Sequence, residues 1–270
     1  MNSIFRVATL AAFVTFSSAR AFALPNPTEV IPAKDGPIKI TPIYHASMQI
    51  EYRGQVIQVD PFSAGNYSGA KKADLILITH SHPDHLDPKE IYSLRQRYAA
   101  IVVPASMGKN PSLIEAQRSK PDWVGVTTIY LRNGQDDWPF GIRVQAVPAY
   151  NIKRGPKPGQ KFHPKGQFNG YVLTLGGKRI YIAGDTEAVP EMKALKNIDV
   201  AFLPMNLPYT MTPQEAAQGA LAFRPKVVYP YHYRFPFDKP NNNPQQFQKL
   251  LGGGGIEVRI RGWYAHPAGK

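Results

Sequence analysis

The sequence feature that most constrains this chain of 270 residues is a cluster of metal-binding residue types at the end of an apolar segment. The apolar segment, residues 73–78, is typical of a buried strand. It leads into the motif Thr79-His80-Ser81-His82-Pro83-Asp84-His85. Alternation along an extended chain places His80 and His82 on one side. A turn at Pro83 can bring Asp84 and His85 back toward the same point. Because imidazole and carboxylate are the usual protein ligands of zinc, the motif predicts two ligands for one metal ion and two for a neighbour.

Four further residues with ligand-type side chains follow apolar runs elsewhere in the chain. They are His45, Asp60, Asp185 and His232. Six of the seven histidines lie in polar segments that follow apolar runs, and only His266, near the C-terminus, does not. A single histidine at a strand end is more often structural than a ligand. The joint occurrence of these residues with the motif at 79–85 nevertheless indicates one shared metal centre.

Composition narrows the chemistry further. The chain contains 43% hydrophobic residues and is long enough to bury a substantial core, so we expect a globular protein of one fair-sized domain or two small ones. It has no cysteine, which excludes disulfides, thiolate zinc sites and cysteine nucleophiles. It also lacks the G-x-S-x-G motif of many serine hydrolases. Any metal must therefore be held by His, Asp, Glu or Asn.

The chain is strongly basic, with a formal net charge of +13, and such a surface attracts anions. A long loop at residues 152–168 carries five of the cations: Lys153, Arg154, Lys157, Lys161 and Lys165. We interpret this loop as a lid that favours an anionic small-molecule substrate, although a merely solvated loop explains the same residues. The sequence shows no signature of a nucleic-acid-binding module, so no nucleic-acid partner is expected. The oligomeric state stays open.

The first 23 residues have the pattern of an export signal. Arg6 supplies a positive start, residues 7–16 form an apolar core, and Ala21-Phe22-Ala23 offers an A-x-A cleavage site. The apolar run is too short for a spanning helix, so no stable membrane span is expected. Cleavage near Ala23 predicts a periplasmic or secreted protein.

The order of the predicted elements indicates the architecture. Strands at 38–44, 48–52 and 55–59 form hairpins, one of them turning at Arg53-Gly54. Helices are expected over Pro88–Tyr98, over Ser112–Arg118 and after a capping box at Thr212-Pro213-Gln214-Glu215. A last strand is expected at Ile256–Ile260. Hairpins followed by helix–strand alternation occur in both halves of the chain. This order predicts an α/β protein in which two mixed sheets pack together with helices outside.

These motifs resemble those of the metallo-β-lactamase fold hydrolases. Residues 79–85 match their H-x-H-x-D-H signature, Gly184-Asp185-Thr186 is similar to their bridging-aspartate motif, and His232 is similar to their last histidine. His45-Ala46-Ser47 and Asp60-Pro61 are similar to the branch that contains ascorbate-6-phosphate lactonase and related small metal-dependent hydrolases. The resemblance covers nearly all of the chain after residue 23 and implies a four-layer αβ/βα sandwich formed by a single domain, residues 24–270.

The resemblance implies two metal ions, zinc in the first place, with manganese or iron as alternatives. The implied ligands are His80 and His82 for the first ion, Asp84, His85 and His232 for the second, and Asp185 as a bridge between the two. Asp60 would hold a ligand histidine in the required tautomer. His45 would contact the substrate or a leaving group, or else be structural.

One position departs from the family's pattern. A third histidine for the first metal is usual after the strand that here ends at Tyr150, and this chain has Asn151 instead. An amide oxygen is a poorer zinc ligand than an imidazole. We therefore predict that His163, twelve residues further on, ligates the first metal, while Asn151 lies beside it and acts on His163 or on the substrate.

Together these features predict an exported metal-dependent hydrolase. Two metal ions that share a water lower its pKa and supply a hydroxide that attacks an ester, lactone or phosphodiester, and Asp84 is the expected proton shuttle. A metal-dependent nuclease is one alternative, which the charge favours and export disfavours. A non-catalytic metal- or ligand-binding protein on the same fold is another, and metal-dependent turnover distinguishes it from an enzyme.

Overall fold

A computed structural model of the chain describes residues 26–113, 125–234, 242–265 and 268. Two seven-stranded sheets face each other in this part of the chain. The first sheet has the order β1 (Glu29–Ile31), β2 (Ile38–Tyr44), β3 (Ser47–Tyr52), β4 (Gln55–Val59), β5 (Ala73–Leu77), β6 (Arg95–Pro104) and β7 (Thr127–Leu131). The second has the order β8 (Asp136–Asp137), β9 (Arg143–Ala149), β10 (Phe168–Leu175), β11 (Lys178–Ile182), β12 (Val200–Pro204), β13 (Val227–Tyr231) and β14 (Glu257–Val258).

Each sheet is antiparallel in its first half and parallel in its second. Strands β1 to β4 and β8 to β11 pair antiparallel with their neighbours, and β4 to β7 and β11 to β14 pair parallel. Hairpins therefore precede the crossover connections in both halves. The predicted α/β sandwich of two mixed sheets is confirmed.

The helices that the structure describes in full are short or of moderate length and connect strands of the two sheets. They are α1 (Pro88–Leu94), α2 (Pro190–Lys193), α3 (Pro213–Phe223) and α4 (Pro244–Leu251), with 3₁₀ turns at Ala105–Lys109 and Pro139–Gly141. The Asp87 side chain caps α1, and the capping box predicted at Thr212 and Glu215 opens α3. None of the helices in the described ranges has the length and apolar character that a bilayer crossing requires.

The main core lies between the two sheets. It contains side chains of both, such as Ile50 and Leu75 from the first sheet and Tyr171 and Phe202 from the second. A smaller cluster, which includes Ile76, Ile91 and Ile101, packs α1 against the outer face of the first sheet. Burial on both faces explains why β12, the second half of β6 (residues 99–104) and β5 after Asp74 read as continuous apolar runs rather than alternating patterns.

Several predicted bounds are wrong. The helix expected over Pro88–Tyr98 ends at Leu94, because the chain becomes extended at Arg95 and pairs with β5 through Ala73. The last strand is shorter than Ile256–Ile260 and covers Glu257–Val258. The predicted helix Ser112–Arg118 lies mostly outside the described residues, and the predicted signal peptide, residues 1–23, lies wholly outside them.

Candidate metal centre

All the strands that carry candidate ligands end at the same edge of the sandwich. In the first sheet β2, β4 and β5 run in one direction, and in the second β9, β11 and β13 do the same. The two edges meet there, since the backbone N–H of His232 donates to the carbonyl of His45 at 3.2 Å and that of Asn169 donates to Thr79 at 3.2 Å. The sequence positions that follow these strands are thereby brought into one cleft.

Left-handed backbone turns the side chains into that cleft. His45, Asp60 and His232 each directly follow a strand and have φ of 57°, 41° and 48°. At Gly184, φ is 63°, and a Cβ there would lie 2.9 Å from the Cβ of Thr79, so this turn requires glycine. Asp185 follows directly and is delivered into the centre between the sheets.

One group of nitrogen atoms comes from His80, His82 and His163, whose candidate ligand atoms all lie within 4.8 Å of one another. The ring centroid of His163 is 5.0 Å from that of His80 and 4.9 Å from that of His82. His163 is fully buried. The structure thus places the loop histidine beside the two histidines of the motif.

Asn151 lies behind His163. Its Oδ1 accepts from the backbone N–H and from the Nδ1–H of His163, each at 2.8 Å, and its amide donates to the carbonyl of Tyr209 at 2.7 Å. With Nδ1 carrying the hydrogen, the lone pair of His163 is on Nε2. Asn151 therefore orients His163, and the ligating role of His163 itself stays a prediction.

The second group comes from Asp84, His85 and His232. The Nε2 atoms of His85 and His232 are 2.9 Å apart, and each is 3.6 Å from Asp84 Oδ2. Asp185 lies between the two groups, with Oδ1 3.3 Å from His232 Nε2 and Oδ2 3.5 Å from His163 Nε2. A carboxylate with one oxygen toward each group is placed as a bridging ligand would be.

Asp60 is fully buried below this second group. Its Oδ2 accepts from His85 Nδ1 at 2.8 Å and from the Thr79 hydroxyl at 2.7 Å, and its Oδ1 accepts from the Thr79 backbone N–H at 2.8 Å. Because a carboxylate only accepts, His85 carries a hydrogen on Nδ1 and directs Nε2 inward. The hydrogen bond to a histidine that the sequence suggested for Asp60 is present.

The electrostatics of the cleft favour a bound cation. Burial opposes the charged form of His85, but the fields of Asp84, Asp185 and Asp60 outweigh it and raise the pKa of His85 to about 10. Burial likewise opposes ionisation of Asp84 and Asp185, yet the surrounding histidines hold the pKa of both carboxyls below the usual value. A site that holds a proton on a buried histidine at neutral pH attracts positive charge, and a divalent metal would replace that proton.

For four histidines of the cleft the effect of burial dominates and lowers the pKa. It lowers the pKa of His45 to about 3 and of His163 to about 4, and it also lowers the pKa of His80 and His82. Neutral imidazole is the form that binds metals.

Sequence reasoning missed three residues that support the site. The Thr79 hydroxyl donates to Asp60 and lies 3.0 Å from His80 Nδ1, from which it accepts. Glu187 is buried and accepts backbone N–H groups of Ile152, Lys153 and Arg154 at 3.2, 3.0 and 2.8 Å. Glu187 thus anchors the start of the basic loop. Tyr264, from the C-terminal segment, lies 2.7 Å from His45 Nδ1.

His45 lies deep in the cleft, and its contact with substrate or a leaving group, or else its structural role, stays a prediction. Its ring is fully buried, and its Nε2 is 3.0 Å from Asp84 Oδ2. Both ring nitrogens therefore face protein groups.

Several cations of the basic loop form ion pairs or hydrogen bonds with other groups of the protein. The Arg154 guanidinium is 2.7 Å from Glu215 and 3.5 Å from Glu187. Lys161 donates to the carbonyls of Ile152 and Lys153. Lys165 is 3.5 Å from Glu191 and lies over the Tyr150 ring. These contacts explain part of the loop's charge without any ligand.

A cavity of about 360 Å³ opens over the centre. Its lining is Phe62, His82, Pro83, Asp84, Asp185, Asn206 and Tyr209. Within the described part of the chain, the lining contains no lysine or arginine. The volume fits a small molecule.

Comparison with known proteins agrees with this picture. The family model of the beta-lactamase superfamily domain matches residues 39–232. A UPF0173 metal-dependent hydrolase of Thermococcus onnurineus is 33% identical in an alignment 224 residues long that covers 80% of this chain and 92% of the relative. One from Geobacillus thermodenitrificans is 34% identical over 79% of this chain and 93% of its own length.

Solved structures give the same result. A crystal structure of a candidate metal-dependent hydrolase from Parabacteroides distasonis is 41% identical, has a TM-score of 0.73, and covers 87% of this chain and 98% of its own. Igni18, a metallo hydrolase of Ignicoccus hospitalis, is 26% identical with a TM-score of 0.64, covering 83% and 94%. Fold and site together define a metal-dependent hydrolase of the beta-lactamase superfamily. Within that superfamily, the chain belongs to the UPF0173 metal-dependent hydrolases.

Proposed function

We propose that this protein binds two divalent metal ions, zinc in the first place, and hydrolyses an ester or lactone of a small molecule. The observation that carries the proposal is a pair of buried atoms. His163 Nε2 and Asp185 Oδ1 have no hydrogen-bond partner among the described residues, although both are buried in the cleft. Such atoms are costly unless something binds them. A metal ion on each side of Asp185 would bind both.

The residues that would hold the ions follow from the two groups. His80, His82 and His163 would hold the first, and Asp84, His85 and His232 would hold the second, with Asp185 shared between them. Nitrogen and carboxylate ligands without thiolates suit zinc and also manganese or iron. When bound, the ions supply Lewis-acid polarisation of the scissile group and an activated water at neutral pH.

The side chains around the metal ions have three further roles: proton exchange, orientation of the ligands and contact with the substrate. Asp84 lines the cavity, and its side chain is 26% exposed, so its carboxylate can exchange a proton with a bound substrate. Asp60 and Asn151 hold His85 and His163 in their orientations. Phe62, Pro83 and Tyr209 flank the cavity and provide apolar surface on which the rest of the substrate can pack.

The lining favours a substrate whose flanking group is apolar. The two aromatic rings and the proline provide apolar surface, and Asn206 adds one amide, whereas the cations of the basic loop do not belong to the described lining. An anionic substrate, such as a phosphorylated lactone or a phosphodiester, stays the prediction of the sequence alone. We therefore place uncharged aryl or alkyl esters and lactones first.

The test is metal-dependent turnover. The protein is freed of metal with a chelator and reloaded with zinc, manganese or iron. It is then assayed on matched aryl esters, lactones and phosphodiesters, with metal content measured alongside. We expect close to two ions per chain and turnover of an uncharged ester or lactone only after reloading. A folded sample that binds no metal would refute the metal centre, whereas two bound ions without any turnover would favour a non-catalytic binding protein.

A further inference from the structure

The hydroxyl of Tyr264 has a complete set of hydrogen bonds, and their directions can be read. It accepts from the backbone N–H groups of Tyr233 and Arg234, each at 3.1 Å, and it lies 2.7 Å from His45 Nδ1. Backbone N–H groups only donate, so they occupy both lone pairs of the hydroxyl oxygen. The single hydroxyl hydrogen is then directed to His45. Burial raises the pKa of Tyr264 well above its usual value, and the hydroxyl keeps that hydrogen.

The tautomer of His45 follows from this count. Its Nδ1 accepts from Tyr264, so the hydrogen of the neutral ring is on Nε2. A doubly protonated ring would bring a third donor to the Tyr264 oxygen, which has no lone pair left for it. The Nε2–H points at Asp84 Oδ2, 3.0 Å away, and donates to it.

The hydrogen on His45 Nε2 decides whether His45 can be a metal ligand. The candidate ligand atoms of His45, Asp84 and His232 all lie within 4.8 Å of one another, so distance alone would allow a metal site made of these three residues. A nitrogen that carries a hydrogen has no lone pair for a metal. We propose that Tyr264 and Asp84 together hold His45 as the Nε2–H tautomer, so that His45 is a hydrogen-bond donor positioning the Asp84 carboxylate and not a metal ligand.

The packing keeps the donor in place. The His45 ring lies against that of His232, with centroids 3.6 Å apart, and makes an edge contact with the Tyr264 ring, with centroids 5.8 Å apart. Asp84 is the residue that needs such support, because it is the partly exposed carboxylate at the cavity. His45 is therefore a positioning residue that acts through Asp84.

Nitrogen NMR of histidine-labelled protein tests the tautomer without any substrate. His45→Gln identifies the signals of His45 by their loss. We expect Nε2 protonated and Nδ1 unprotonated in the metal-free protein, with the same pattern after zinc loading. Tyr264→Phe should shift the His45 Nδ1 signal, because it removes the hydrogen bond that Nδ1 accepts, while the Asp84 carboxylate keeps the hydrogen on Nε2. The control Tyr233→Phe, which removes a hydroxyl bonded at 3.3 Å to the Arg261 carbonyl, should leave both signals unchanged. An unprotonated Nε2 in the wild-type protein, or a His45 Nε2 signal that shifts as a metal ligand on zinc loading, would overturn the proposal.

A kinetic measurement distinguishes positioning from a purely structural role. Because Tyr264 acts on the candidate ligand Asp84 only through His45, Tyr264→Phe should lower kcat by about 10-fold, the lower end of the effect of losing a direct partner of a ligand. KM should change little, and two zinc ions should stay bound. A folded Tyr264→Phe protein with wild-type kcat would refute the positioning role. This second measurement rests on the proposed hydrolase function, whereas the NMR result stands without it.

Discussion

Replacing Asp60 with asparagine tests how the second group of ligands is oriented. The carboxylate of Asp60 accepts three hydrogen bonds, two from Thr79 and one from His85 Nδ1. An amide has one oxygen and must turn its NH₂ toward either the Thr79 backbone N–H or His85. Asparagine tolerates the left-handed backbone of this position, where φ is 41°, so the turn itself is retained.

Each orientation of the amide has a definite cost. If the NH₂ faces the Thr79 backbone, one buried N–H loses its acceptor, which costs about 1–3 kcal/mol of stability. If it faces His85, the ring must accept on Nδ1 and carry its hydrogen on Nε2, where a metal would bind. Loss of such an orienting contact lowers metal affinity by about 10–100-fold, or about 1.4–2.8 kcal/mol of binding free energy.

The assay is zinc titration by calorimetry together with chemical denaturation of the metal-free protein. Asp60→Asn should weaken one of two zinc sites by about 10–100-fold and lower the free energy of unfolding by about 1–3 kcal/mol. Asp74→Asn is the matched control. Asp74 accepts from the Gln96 side chain and from the backbone N–H of Val56, which lies at the opposite end of β4 from Asp60. Wild-type zinc affinity in a folded Asp60→Asn protein would refute the reasoning.

Four other outcomes are expected. Asp185→Ala should abolish turnover and weaken both zinc sites, because it removes the carboxylate placed between the two groups, and near-native activity would contradict that placement. His163→Ala should weaken one zinc site by about 10-fold or more, whereas Asn151→Ala should mainly lower turnover, and calorimetry beside kinetics would detect a reversal. The metal-free protein should be most stable near pH 6.5, as denaturation at several pH values would measure. Folding lowers the pKa of His163 to about 4, so stability falls as the pH drops from 6.5 toward 4, and folding raises the pKa of His85 to about 10, so its contribution to stability is lost as the pH rises from 6.5 to 10. Protein recovered from its host should begin near Leu24, and an intact Met1 would refute the predicted export signal.

Most of the fold could be predicted because its signals are local. Buried strands such as β5 and β12 are short apolar runs, and the turn of the β3–β4 hairpin is marked by Arg53 and Gly54, with φ of 50° and 79°. The end of α1 could not be predicted, since the residues after Leu94 suit a helix locally. Pairing of Arg95 with Ala73 in the neighbouring strand decides the outcome there.

The residues of the candidate site likewise include some that local sequence marks and some that only the fold brings together. His80, His82 and His85 stand out because they lie six residues apart or less, at the end of one strand. Tyr264 could not be found in this way, because it meets His45 across 219 residues of chain and nothing in its neighbours marks it. Glu187 directly follows the Gly184-Asp185-Thr186 motif, which could have singled it out, but its partners are backbone groups of a loop more than thirty residues earlier.

The backbone of the strand ends explains why a sequence pattern names the ligands without giving their directions. A strand that simply continued would alternate its side chains between the two faces of a sheet. His45, Asp60 and His232 leave that alternation through left-handed conformations, which cost roughly 1–2 kcal/mol each for residues other than glycine. Backbone hydrogen bonds hold the turned chain in place, among them Asp60 N–H to the Leu77 carbonyl at 2.9 Å and His232 N–H to the His45 carbonyl at 3.2 Å. Strain of this kind persists where the surrounding structure over-determines it, which is common at functional sites. The apolar run before each residue predicts where the strand stops, but the reversal that aims the side chain into the cleft depends on the facing sheet.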